Sequence, residues 1–212
     1  YQRVLKEHPA EASLGIAACQ RSIGNYDEAI QMLTNQLAKH GENADLAAEL
    51  ALLNFEKGDY ETATQQTAAA LQVNKDQVTA RWVDAELQRV TGQLEKADKG
   101  YEWLVDFYNN TNEINEPRAL LHIGQAAAHF ARWRRNSEQF SFLVNTLYPE
   151  ALQLEEKFWP AHLAAGLLFL EKYNQADAKR EFDAALAINP NAAEVHAAHG
   201  QLALQNYRLD DA

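Results

Sequence analysis

Cysteine, proline, positive charge and long apolar runs are all scarce in this chain, and each shortage closes off a class of protein. A single cysteine, Cys19, in 212 residues rules out an internal disulfide and any paired-thiol site, while leaving both a reducing cytoplasm and a periplasm open. Five prolines and nine glycines are too few for a collagen-like or low-complexity chain. No stretch approaches the eighteen or so apolar residues of a membrane span. Nineteen basic residues stand against thirty acidic ones, and the net charge of −11 repels phosphate backbones and anionic lipid surfaces. Neither nucleic acid nor a membrane is therefore an expected partner, and a soluble chain is expected in either compartment. The opening residues, Tyr1-Gln2-Arg3-Val4-Leu5-Lys6, have no starting methionine and no signal-peptide layout, so the chain is expected to be an excised piece of a longer one.

What the chain does have is a period. Gly24-Asn25-Tyr26-Asp27-Glu28-Ala29, Gly58-Asp59-Tyr60-Glu61-Thr62-Ala63 and Gly92-Gln93-Leu94-Glu95-Lys96-Ala97 place their alanines 34 residues apart. A turn glycine ends one helix in the left-handed conformation, the following residues restart a helix, and the small alanine lets the second helix press on the first. Apolar residues recur at helical spacing on both sides of the turn, as in Leu46, Leu50 and Leu53 before it and Ile30, Leu33 and Leu37 after it. Each unit thus reads as a helix-turn-helix hairpin, and 47% hydrophobic content is enough to bury a continuous core.

Period and landmarks together resemble the tetratricopeptide repeat family. The best single copy has Gly166 and Phe169 on its first helix and Ala178, Phe182, Ala185 and Pro190 around its second. The resemblance implies an all-α fold, a right-handed superhelical solenoid of antiparallel hairpins forming a single array. Residues 1–9 would end a preceding repeat, followed by repeats at 10–43, 44–77, 78–111, 112–158, 159–192 and a truncated one at 193–212. The step from Ala97 to Ala178 is 81 residues, thirteen more than two periods, so the fourth repeat is the irregular one. Its first helix is expected from about Pro117 to Trp133, after an extra loop through Asn112-Glu113-Ile114-Asn115-Glu116. Its second helix is expected from about Ser137 to Glu155, kinked at Pro149. The family's signature tryptophan is missing, its places taken by Ser13, Ala47, Arg81, Leu120, His162 and His196.

The resemblance also implies a use, a concave surface lined by first helices that binds a protein or peptide segment. The family's groove positions fall on Leu14, Ala18, Ala48, Leu52, Phe55, Trp82, Glu86, Arg89, Leu121, Gln125, Leu163, Leu167 and Leu170. Of these, Leu52, Phe55, Trp82, Glu86, Arg89, Leu121 and Gln125 are the candidate partner-binding residues, with Trp82 foremost. Helices in a solenoid bury more than one face, so packing between hairpins is the competing reading for each leucine. Where a clamp for acidic tails would use lysine, asparagine and arginine, the first three repeats offer Leu14, Ala18, Ala48, Leu52, Trp82 and Glu86, and a largely apolar groove suits an amphipathic helix or an extended apolar segment.

Arg132, Arg134 and Arg135, interleaved with Trp133, form the one dense basic cluster and a second candidate surface, for a phosphate or an acidic peptide. Cations at the end of a helix also complement its exposed carbonyls, which is the structural reading of the same residues. His196 and His199 share a helical face, but no metal-ligand run completes a site, and His162 and His196 are expected to stand in for the family tryptophan in packing. Cys19, among Ile16, Ala17 and Ala18, is expected to be inert core material. No glycine loop for phosphates is present, and neither catalytic residues nor a cofactor is expected. The function that follows is a non-enzymatic interaction scaffold. The alternatives are a regulatory or substrate-presenting arm of a larger bacterial enzyme, possibly metallopeptidase-like, and end-to-end self-association.

Overall fold

The computed structural model describes residues 9–134 and 138–206, and among these the regular structure is entirely helical. The chain forms two compact units, Tyr1–Leu104 and Val105–Ala212. In the first, α1 (Pro9–Ser22) pairs with α2 (Tyr26–His40), α3 (Ala44–Lys57) with α4 (Tyr60–Val73), and α5 (Val78–Val90) with the first part of α6 (Leu94–Asn110). The second holds α7 (Pro117–Arg134), then α8 (Glu138–Phe142), a π-helical turn over Leu143–Leu147, and α9 (Tyr148–Leu154), followed by α10 (Trp159–Glu171), α11 (Gln175–Ile188) and α12 (Ala193–Gln205).

The turn between the two helices of a hairpin is one backbone motif used four times. Gly24, Gly58 and Gly92 have φ of 81°, 82° and 80°. The N–H of each glycine bonds the carbonyl three residues back, and the next N–H bonds five back, as in Gly58 to Phe55 and Asp59 to Asn54, both at 2.9 Å. This double closure satisfies carbonyls that the end of a helix would otherwise leave bare. The fourth instance has Tyr173 at the left-handed position, with φ of 58° and the same pair of bonds, Tyr173 to Leu170 and Asn174 to Phe169. After the turn, the Asp59 side chain caps α4 by accepting from Thr62 N–H at 3.1 Å, and hydrogen bonding by the Thr62 side chain, then by its backbone, holds the Asp59 carboxyl below the usual range.

The period of 34 is a period of burial. Ala29, Ala63, Ala97 and Ala178 are each 0% exposed, and one turn further on lie the buried Leu33, Thr67, Tyr101 and Phe182. Small residues let the helices of a hairpin close on each other. A side chain at Gly100 would meet the Ala85 Cβ at 2.8 Å, and one at Gly166 would run into the Phe182 ring. In the first unit Ala17, Leu33, Leu46, Leu50 and Leu53 form one core cluster, while Ala51, Leu52, Ala63, Val83 and Leu87 form another. In the second, Leu170, Phe182, Ala185, Val195 and Leu202 join α10, α11 and α12.

The irregular repeat departs from expectation at Pro149. Instead of a simple kink, the helix takes a π-helical turn just before it, with the Tyr148 N–H reaching Leu143 O. Pro149 has no N–H to offer the carbonyl four residues earlier, and widening the turn absorbs that missing bond. Leu143, Leu147 and Tyr148 are all buried, and the last two press on Gly124 of α7, where even a Cβ has no room.

Candidate partner-binding site

On α5, Trp82, Glu86 and Arg89 follow at helical spacing and so share a face. Trp82 is half-buried and meets the half-buried Phe55 of α3 edge-on, with ring centroids 6.0 Å apart. Phe55 in turn lies 5.6 Å from the ring of Tyr60, which is 42% exposed. Beneath the Phe55 and Trp82 rings pack Ala51, Leu52, Val83 and Leu87, so this pair rests on a packed floor. Leu52 belongs to that floor at 1% exposure, and Ala48 is equally buried, which removes both from any surface a partner could touch. Both sit on the stripe of α3 that the packing of α5 covers.

Glu86 is also a buried residue, 4% exposed, not a groove carboxylate. It accepts a hydrogen bond from the Tyr101 hydroxyl of α6, and the Arg89 guanidinium donates to it through Nη2 at 2.6 Å and Nε at 3.1 Å. Burial, and then the neighbouring Glu86 carboxylate, push the Tyr101 phenol far above its ordinary range, so it remains a donor. The bond to Glu86 raises the Arg89 pKa in turn. The three residues are joined by hydrogen bonds. Of them, only the Arg89 side chain, 36% exposed, can also reach a ligand.

In the second unit Leu121 is buried at 7% exposure, again core, whereas Gln125 is half-buried and its side-chain oxygen has no hydrogen-bond partner. The basic corner is largely engaged within the fold. Arg132 donates to Glu171 at 2.6 and 2.9 Å, and the Arg134 guanidinium lies 4.6 Å over the Phe130 ring. Trp133 is 40% exposed beside His129, and Arg135 lies outside the described residues.

The remaining expectations divide. Arg81, at a place of the missing tryptophan, stacks its guanidinium 4.6 Å over the Trp103 ring, so one helix pair exchanges an aromatic for a cation and an aromatic. His162 is half-buried and bonds Glu181 at 2.8 Å, but His196 is exposed and bonds only the Pro190 carbonyl, so it does not replace the tryptophan in packing. Cys19 is exposed, not core, because it sits two positions beyond buried Ala17 and so about 200° round the helix. Among the described residues no group of three or more His, Cys, Asp or Glu is placed to hold a metal, and no helix is long and apolar enough to cross a membrane. Tyr60 and Tyr101 were not singled out by the sequence. Tyr101 carried a signal, one helical turn after Ala97.

Residues 23–94 match the tetratricopeptide repeat family. No curated protein matches the sequence. Among solved structures, a tetratricopeptide repeat protein from Parabacteroides merdae is similar at 15% identity and a TM-score of 0.53, over 99% of this chain and 79% of that one. A monomeric mutant of IFIT1 with Gppp-AAAA is similar at 16% identity and a TM-score of 0.63, over 88% of this chain but 44% of that one. PilF of Pseudomonas aeruginosa is similar at 15% identity and a TM-score of 0.51, over 97% and 87%. At these identities the likeness is one of fold. Residues 23–94 thus carry the tetratricopeptide repeat, and in the second unit the hairpin of α10 and α11 closes with the same turn.

Proposed function

We propose that the protein is an interaction scaffold whose first unit holds a segment of a polypeptide partner on the face carrying Phe55 and Trp82. A tetratricopeptide repeat chain serves in general as a protein-interaction scaffold. The observation that supports this surface is the line of three rings, Tyr60, Phe55 and Trp82, of which Phe55 and Trp82 are half-buried above a packed floor. Aromatic rings held rigid from below lose little conformational entropy when a partner covers them, which is why such residues dominate binding energies. Arg89, fixed by Glu86 on the same helical face, adds a cation for a carbonyl or carboxylate on the partner. Although IFIT1 was solved with Gppp-AAAA, the net charge of −11 here favours a polypeptide over a phosphate backbone.

A displayed library of random peptides, selected on the wild-type protein and counter-screened on Trp82→Ala and Phe55→Ala, tests the assignment. Selected peptides should bind Trp82→Ala at least about tenfold more weakly by fluorescence anisotropy. Peptides that bind both variants as tightly as the wild type would move the site elsewhere.

A further inference from the structure

The fourth repeat, thirteen residues longer than the period, borders a cavity. A cavity of about 560 Å³, its wall polar and apolar in nearly equal parts, opens in the second unit between the C-terminal end of α6, the loop 111–116 and the last turns of α9. Its electrostatics have one sign. Helices α6 and α9 both end here, at Asn110 and Leu154, and a helix C-terminus presents bare carbonyls with about half a negative charge. Two carboxylates, Glu113 from the loop and Glu150 from α9, line the same space, and none of the lining residues is Lys, Arg or His. The side-chain amides of Asn109, Asn112, Asn115 and Gln153 can each turn an oxygen toward a donor.

Glu150 is held in place. The Tyr108 hydroxyl donates to its Oε2 at 2.9 Å, and the Tyr108 ring is itself fixed edge-on to Phe142 at 5.9 Å. Burial and then the Glu150 carboxylate push the Tyr108 phenol up to about 12, so it stays a donor and leaves Oε1 to accept from a ligand. Apolar surface from Ile114, Leu120 and Leu154 lies in the same wall. Carboxylates and helix C-termini beside an apolar strip match a cationic head on a hydrocarbon stem. A metal ion is disfavoured by the same chemistry, because two carboxylates with flexible amides fall short of a closed set of hard ligands.

The geometry points to a pocket for the side chain of a lysine or arginine carried by a polypeptide partner, on a surface separate from the Phe55 and Trp82 face. Backbone amide chemical shifts of the whole chain, titrated with capped Gly-Lys-Gly, Gly-Arg-Gly and Gly-norleucine-Gly peptides and with spermidine, test it. The lysine or arginine peptide should shift the amides of 109–116, and added salt should reverse the shift. Norleucine, which keeps the stem without the charge, should not. Glu150→Gln still accepts from Tyr108 and so preserves the fold, and Glu113→Gln changes an exposed side chain. Each should weaken the lysine peptide roughly two- to fivefold, as expected for a partly exposed ion pair, while Trp82→Ala leaves it unchanged. Equal shifts with norleucine, no shift with either cationic peptide, or a response to spermidine alone would overturn the assignment.

Discussion

Replacing Tyr173 by glycine should stabilise the protein although it deletes an aromatic side chain. Tyr173 has φ of 58° at a turn position where Gly24, Gly58 and Gly92 sit at 81°, 82° and 80°, and all four turns close with the same two backbone bonds. A residue with a Cβ pays about 1–2 kcal/mol to enter the left-handed region. Glycine escapes that cost but loses about 0.5–1 kcal/mol through the greater freedom of the unfolded chain. Because Tyr173 is 77% exposed, little burial is forfeited, and the net gain is about 0.5–1 kcal/mol. For a cooperative unit of roughly a hundred residues this raises the melting temperature by about 2–8 °C. Circular dichroism melts of Tyr173→Gly and Tyr173→Ala decide the matter, since alanine removes the same ring but keeps the strain. A glycine variant no more stable than wild type, or an alanine variant raised by the same amount, would refute the backbone argument.

Gly166→Ala should cost about 1–3 kcal/mol, read from the urea midpoint, because the new methyl displaces the buried Phe182 ring; an unchanged midpoint would show that the ring yields freely. Tyr101→Phe withdraws the hydroxyl that Glu86 accepts from and should cost about 1–3 kcal/mol, with peptide affinity at the aromatic face unchanged. The second unit should loosen on acidification in two stages. Burial holds the His199 imidazole below its ordinary value of 6.5, with Lys179 and His196 acting the same way and Asp183 opposing, so the unfolded chain takes up a proton first as pH falls through 6.5. The bond to His162 holds the Glu181 carboxyl below 4.5, so its contribution, intact above that value, disappears as pH falls through the lowered folded value. Melting temperature against pH should therefore fall in both windows, and Glu181→Gln should flatten only the lower one; a single transition unaffected by that variant would discount the His162 bond.

The fold was legible because its repeat is a steric requirement. A helix pair closes only where side chains are small, and the alanines read from the sequence at 29, 63, 97 and 178 are all buried. The irregular first helix, expected over 117–133, lies at Pro117–Arg134, since a proline suited to a first turn and an apolar helical stripe mark it locally. The surface was less legible. Family spacing places Leu52, Glu86 and Leu121 on a binding face, yet whether such a residue is covered depends on the neighbouring helix, which one sequence does not encode by period. Glu86 was the hardest case, because its partner Tyr101 lies fifteen residues away on another helix. Trp82 and Phe55 stay half-buried at the edge of the core, their rings packed against each other and that of Phe55 against Tyr60.

The widened turn at Leu143–Leu147 has a consequence for heredity as well as for packing. A π-helical turn houses one residue more than the α-helix it interrupts. Deleting a single codon there would remove that extra residue and leave everything after it facing as before, at the cost of forcing Pro149 back into a narrow turn. Glu150 would keep its place beside Tyr108, and the carboxylate-lined pocket would keep its wall. A length change of one residue at this turn, outside the site, is thus one that the pocket can survive.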